Sequence, residues 1–236
     1  MSATGKNVSF VFCHGLWADG SCFSKVMGPL LAEGYECLAP QYGLNTTAED
    51  VEVTTATINR ASHPVILVGH SYGGTVITGA GTHDRVVGLV YICALAPAED
   101  ESSQLQQSNF PKTPVFSQID VKDGRIWLTR AGIEDFCGDL TDAEKKMVYA
   151  TQGVPKPDLF DAKPGGAAWK TKPSWYIIGK NDRTVHPDLE RAMAKRMNAT
   201  AYELDSSHVP MLSQPEKVLE VIRAAAGSVK VASASA

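Results

Sequence analysis

Five residues, Gly69-His70-Ser71-Tyr72-Gly73, stand between the apolar run Pro64-Val65-Ile66-Leu67-Val68 and a run of small residues that opens with Gly74-Thr75. A serine with glycines two positions before and two after it, at the junction of a strand and a helix, fits a turn so tight that larger neighbours would collide. Such a turn requires a sheet whose strand ends at the serine and a helix that folds back from it. The chain is thereby constrained to a layered α/β arrangement.

The rest of the sequence agrees with that constraint. Val8 to Cys13 reads as a buried strand, followed by a helix from about Ser21 to Glu33 closed by Gly34 and a strand at Tyr35 to Pro40. Thr46 and Glu49 have capping-box spacing and open a helix to about Ser62, before the strand Pro64 to Gly69. A small-residue helix from Ser71 to Thr82 and a strand at Val86 to Leu95 follow; near the end come a strand at Ser174 to Gly179, helices at Pro187 to Met197 and Pro215 to Ala226, and the short strand Thr200 to Leu204 between them. Strands alternating with helices predict a mostly parallel central sheet with helices on both faces.

Residues 97–166 break the alternation, with Gln, Ser, Asp, Pro and Gly mixed among scattered aromatics. About 70 residues is too long for a structureless loop in a compact domain, and Thr141-Asp142-Ala143-Glu144 opens at least one helix there. The expectation is a single domain over 1–236 carrying a small, mostly helical cap insertion over the carboxyl edge of the sheet. Val229 to Ala236, small and mostly polar, read as a frayed tail.

Composition removes several function classes. With 22 basic and 26 acidic residues the formal charge is −4, and no basic stripe is present, so nucleic acid is not an expected partner. No apolar run approaches the roughly 20 residues of a membrane span. Five cysteines form no CxxC pair and are odd in number, which points to reduced thiols and, with no signal-peptide pattern, to the cytoplasm. No HExxH, P-loop or strand-linked GxGxxG appears, so no metal ligands or phosphate cradle are expected.

The chemistry then centres on Ser71. A serine hydroxyl needs an imidazole to take its proton and a carboxylate to hold that imidazole in the right tautomer. His208, in the loop between the last strand and the last helix, is the candidate base; His63 and His83 lie at segment ends, His186 starts a helix, and His14 and His70 belong to turns where they orient backbone. Asp182, in the turn after Ser174 to Gly179, is the candidate acid, with one helix and one strand between it and His208; Asp205 is the runner-up and is expected to stabilise the loop. Backbone N–H groups of Leu16, after His14-Gly15, and of Tyr72, after the serine, are the candidate oxyanion donors. Trp17, Phe110, Trp127 and Phe136 are the candidate substrate-binding side chains.

Together, the His14-Gly15-Leu16-Trp17 loop, the Gly69 to Gly74 turn, the Asp182 turn and the Ser207-His208 loop resemble the α/β-hydrolase superfamily, nearest to small bacterial esterases similar to plant salicylate methylesterases and hydroxynitrile lyases. The resemblance implies Ser71 as nucleophile, His208 as base, Asp182 as acid, no cofactor, and hydrolysis of a small to medium ester with an apolar or aromatic part. Hydroxynitrile lyases of that lineage place threonine after the His-Gly and lysine after the histidine, where this chain has Leu16 and Val209, and their turn usually carries Glu where His70 stands. Haloalkane dehalogenases would have aspartate in place of Ser71. The remaining alternatives are lyase or perhydrolase chemistry on the same residues, and a ligand sensor with residual hydrolase activity.

Overall fold

The computed structural model describes residues 6–229, so the tail expected beyond Val229 lies outside the described residues. Six strands, β1 (Ser9–Cys13), β2 (Glu36–Leu38), β3 (Val65–His70), β4 (Val86–Ile92), β7 (Ser174–Gly179) and β8 (Thr200–Leu204), form one sheet in the order β2-β1-β3-β4-β7-β8, every neighbouring pair parallel. β1, β3 and β7 are buried along their whole length, as expected of strands covered on both faces, which is why they read as unbroken apolar runs. β2 and β8, at the two edges, are only partly buried.

Seven helices of the sheet's two faces and the insertion are α1 (Ser24–Ala32), α2 (Thr47–Arg60), α3 (Gly73–Ala80), α4 (Ser103–Ser108), α5 (Arg130–Cys137), α6 (Asp142–Thr151) and α7 (Pro187–Arg196); α8 (Pro210–Ser213) and α9 (Pro215–Ser228) close the chain. The caps explain several of these boundaries. Thr46 Oγ1 accepts from the Glu49 N–H at the start of α2, Thr141 and Glu144 form a reciprocal capping box on α6, and the His186 side chain accepts from the Asp188 N–H at the start of α7. The residues expected to begin the first helix form a 3-10 turn, Gly20–Phe23, capped by Asp19, before α1 starts.

The chain between β4 and β7 is mostly helical in its elements, with one beyond the expected helices. Alongside α4, α5 and α6 it contains an antiparallel hairpin, β5 (Ile119–Lys122) and β6 (Arg125–Leu128). Its turn residues Asp123 and Gly124 both have positive φ, 52° and 70°. Asp-Gly is the preferred pair for such a turn, and its flanks favour pairing. The insertion is tied down over the end of the sheet: Trp17 Nε1–H donates to the Ile126 carbonyl at 3.2 Å, and Val115, Ile126, Phe136 and Leu159 join the same buried apolar cluster as the strands. Leu67, at the centre of β3 and fully buried between Val11 and Leu89, illustrates the strength of this core; its truncation to alanine costs about 2–5 kcal/mol.

Candidate active site

β3 delivers Ser71 to the carboxyl edge of the sheet in a left-handed conformation, φ 55°, which a serine adopts only when its surroundings fix it. The fixing contacts are steric. A Cβ on Gly69 would sit 2.6 Å from the Gly73 carbonyl oxygen, and one on Gly73 would sit 2.1 Å from that of Cys13. The turn therefore closes only with glycine at both positions. The Ser71 N–H donates to the Ile92 carbonyl, and its own carbonyl accepts from Gly74 and Leu95, so the strained residue is bonded to β4 and to the start of α3.

Two loops on the other half of the sheet bring Asp182 and His208 together. His208 Nδ1–H donates to Asp182 Oδ2 at 2.5 Å, with both side chains fully excluded from solvent. Asp182 Oδ1 accepts from the Thr184 and Val185 N–H groups at 2.6 and 2.9 Å, which fixes the plane of the carboxylate. The His208 loop is held from three sides. His70 Nε2–H donates to the His208 carbonyl at 2.8 Å, Asp139 of the insertion accepts from both the N–H and the hydroxyl of Ser207, and the Phe136 ring lies edge-on to the imidazole with centroids 5.1 Å apart. Burial holds the His70 imidazole well below its ordinary pKa, so it stays neutral in this role. His208 Nε2 is buried and has no protein partner, and Ser71 is not hydrogen-bonded to it; such contacts commonly tighten only with substrate present.

Among the described residues, the Leu16 and Tyr72 N–H groups donate to no backbone acceptor. Both side chains are buried. Tyr72 is anchored away from the serine: its hydroxyl donates to Asp50 Oδ2 at 2.8 Å, and its oxygen lies 3.2 Å from Thr47 Oγ1, whose hydroxyl donates to it. On the neighbouring loop the Tyr42 hydroxyl donates to the His14 carbonyl, and the two rings stack 4.2 Å apart. Asp205 supports the Asp182 turn, accepting from Asn181 Nδ2 at 2.8 Å, and is not paired with His208.

Ser71 opens into a narrow cavity of about 20 Å³ lined by Leu16, Trp17, Tyr72, Leu95, Val115, Phe116, Phe160 and Val185, among others. Trp17, expected at the substrate, lines this cavity; Phe110, Trp127 and Phe136 do not. Trp127 faces outward from the hairpin and is 39% exposed, because period-2 alternation in β6 turns Ile126 and Leu128 inward instead. Phe136 packs against His208 and Trp17 and lines a separate cavity of about 200 Å³ behind them. Phe110 lines an outer cavity of about 370 Å³, which shares Gln107, Phe116 and Phe160 with the serine cavity. Phe116 and Phe160, whose centroids are 6.2 Å apart, thus stand between the two spaces. Their sequence neighbourhoods carry no periodic signal.

Four buried side chains, Cys93, Asp182, Glu190 and His208, bring potential metal-ligating atoms within 4.8 Å of one another, a cluster the sequence spacing does not reveal. Its donors suit hydrogen bonding better than a metal: Asp182 and His208 bond each other, Glu190 Oε2 accepts from the Gly179 N–H at 2.9 Å, and burial pushes the Cys93 thiol well above its ordinary pKa, away from the thiolate. The signal for Glu190 was present in α7, where it shares an inward stripe with Met193, Ala194 and Met197.

Residues 10–221 match the model of the Alpha/beta hydrolase family. The chain belongs to that family. An alpha/beta hydrolase of Aspergillus novofumigatus is 30% identical over 200 residues, 77% of this chain and 79% of the relative. A pyrethroid hydrolase of Sphingobium wenxiniae is 25% identical over 244 residues, 90% of this chain and 85% of the relative. Among solved structures, the pyrethroid hydrolase of Sphingobium faniae superimposes with a TM-score of 0.77 at 24% identity, covering 94% of this chain and 98% of that one. Polyneuridine aldehyde esterase does so with a TM-score of 0.80 at 17% identity, covering 92% and 98%. These likenesses establish the six-stranded α/β-hydrolase fold and a hydrolase. No described helix is long and apolar enough to cross a membrane.

Proposed function

We propose that this hydrolase is a serine carboxylesterase in which Ser71 is the nucleophile, His208 the general base and Asp182 the acid that orients it. The observation that carries this reading is the strained Ser71, φ 55°, at the edge of the same sheet that presents a fully buried Asp182–His208 pair bonded at 2.5 Å. The Asp182 bond places the imidazole proton on Nδ1 and leaves Nε2 free to accept the serine proton. Ser71 Oγ attacks the ester carbonyl as Nε2 takes that proton, and the Leu16 and Tyr72 N–H groups receive the negative oxygen, each donor contributing on the order of a hundredfold in rate or more. Nε2–H then protonates the departing alcohol, leaving an acyl group on Ser71. Water, deprotonated by the same nitrogen, releases the acid and restores the serine.

The substrate class follows from the cavities. The space at Ser71 admits little beyond the reacting carboxyl group, whereas the adjoining cavity of about 370 Å³ beyond Phe116 and Phe160 accommodates a larger apolar or aromatic portion. We therefore read the substrate as a small to medium ester with one compact and one bulky apolar side. Relatives named as a pyrethroid hydrolase and as methylesterase 2 of Arabidopsis thaliana, the latter 24% identical over 257 residues, support ester chemistry. The five free cysteines accord with a cytoplasmic location.

The deciding experiment is hydrolysis of p-nitrophenyl esters from acetate to octanoate by the unmodified protein and by Ser71→Ala. A fall of roughly a thousandfold or more in kcat with folding intact is expected. Equal activity in the two proteins would overturn Ser71 as nucleophile, and no activity in either would direct attention to lyase substrates.

A further inference from the structure

Glu190 lies on α7, four residues from its N-cap His186, and its side chain is fully buried. One oxygen, Oε2, accepts from the Gly179 N–H at 2.9 Å; the other, Oε1, is buried with no hydrogen-bond partner as an acceptor. The groups facing it, from just beyond β4, from β7 and from the two loops, are Cys93, Tyr176, Asp182 and His208. None offers it a proton: the Tyr176 hydroxyl donates to the Ala94 carbonyl, the Cys93 thiol lies toward the Ser207 carbonyl, and His208 Nδ1–H is committed to Asp182. Arg191, its neighbour on α7, points outward to Glu203 and Asp188. A second ionised carboxylate here would lie unpaired beside Asp182 with water excluded, an arrangement whose repulsion and desolvation force one of the two to hold a proton.

Hydrogen bonding decides which one. Asp182 accepts three bonds, from His208, Thr184 and Val185, all favouring its ionised form, whereas Glu190 accepts one. Burial first, and the Asp182 carboxylate beside it second, push the Glu190 carboxyl well above its ordinary range. We infer that Glu190 is a neutral carboxylic acid whose Oε1–H donates to the Asp182 carboxylate, making it a positioning residue that fixes Asp182 against His208. The unpartnered Oε1 is then a donor with an acceptor beside it. The inference rests on the reading of Asp182 and His208 as the working pair.

Two variants separate this role from simple packing. Glu190→Gln keeps both bonds, its carbonyl accepting from Gly179 and its amide donating to Asp182. Glu190→Leu removes both, and kcat is expected to fall roughly 10- to 100-fold with KM little changed, as misplacement of a reacting group does. Glu190→Gln is expected to restore the rate, with the acid limb of kcat/KM against pH where it is in the unmodified enzyme. An ionised Glu190 predicts instead that the glutamine variant, losing a negative charge beside the pair, shifts that limb downward by about one pH unit or more. Infrared difference spectra of unmodified protein minus Glu190→Gln at pH 7 read the proton directly, through the carbonyl band of one buried carboxylic acid. That band is independent of esterase activity, so its presence supports the inference even if ester hydrolysis proves the wrong reaction. Absence of the band, a downward shift of the limb, or full kcat in a folded Glu190→Leu protein would overturn it.

Discussion

Asp182→Asn alters one atom type in the candidate site, and the structure dictates which way the new amide must face. Asp182 Oδ1 accepts from two backbone N–H groups, Thr184 at 2.6 Å and Val185 at 2.9 Å, so the asparagine carbonyl has to remain there. Its amide nitrogen then points at His208 Nδ1, where the carboxylate oxygen had been at 2.5 Å. Two donors cannot face each other, and the imidazole responds by carrying its proton on Nε2. That nitrogen can no longer accept the Ser71 proton. In the serine-protease template, forcing this tautomer lowers kcat about 10⁴-fold, or about 5.5 kcal/mol at 1.36 kcal/mol per tenfold. The same fall is expected here, with KM for p-nitrophenyl butyrate little changed and the thermal midpoint close to that of the unmodified protein, since every backbone donor keeps its acceptor. Stopped-flow or steady-state release of nitrophenol from pH 5 to 10 measures it. A variant that retains kcat within tenfold at pH 7 would refute the tautomer argument, and with it the assignment of Asp182 as the orienting acid.

Phe160→Ala, which opens the partition between the serine cavity and the larger outer one, is expected to raise kcat/KM for octanoate relative to acetate by roughly tenfold, measured on the same ester series. Trp127→Ala is expected to leave kcat/KM within about twofold, because this ring faces solvent; a larger loss would return it to the substrate site. Asp50, buried beneath Tyr72, has its carboxyl pushed up to about 6, chiefly by burial. Its folded pKa exceeds the ordinary value of 3.8 that the unfolded chain keeps, so the folded state binds the proton more tightly and stability falls as pH rises from about 4 to 6. Asp50→Asn is expected to flatten that part of the profile, as urea unfolding at pH 4, 5, 6 and 7 would show.

Much of the candidate site was legible because its signals are local. The glycine spacing around Ser71 is a steric requirement satisfied within five residues, and it emerges as a φ of 55° with no room for a Cβ at Gly69 or Gly73. Asp182 and His208 were readable because each follows a strand that ends at one edge of a parallel sheet; β7 and β8 matched their expected bounds, Ser174 to Gly179 and Thr200 to Leu204. The hairpin at Asp123-Gly124 was legible in principle, since a turn pair flanked by alternating residues announces it, but it lay inside a segment read as mostly helical. Trp127 shows how alternation outweighs residue type: an aromatic on the outward phase of a strand stays at the surface.

By itself the sequence determined the alternation of strand and helix, the sheet's parallel sense, and the strand-end positions of Ser71, Asp182 and His208 at its edge. These depend on periodicity, caps and steric limits between near neighbours in the chain. Tertiary structure alone decided what surrounds them: Phe116 and Phe160 between two cavities, Phe136 against the imidazole rather than in the serine cavity, Asp139 gripping Ser207 from the insertion, and Glu190 placed beside Asp182. Those contacts join segments brought together only when the insertion folds onto the sheet and α7 packs beneath it. The protonation of a carboxyl such as Glu190 depends on which other carboxylate it meets in the absence of water, and that is a property of the assembled interior.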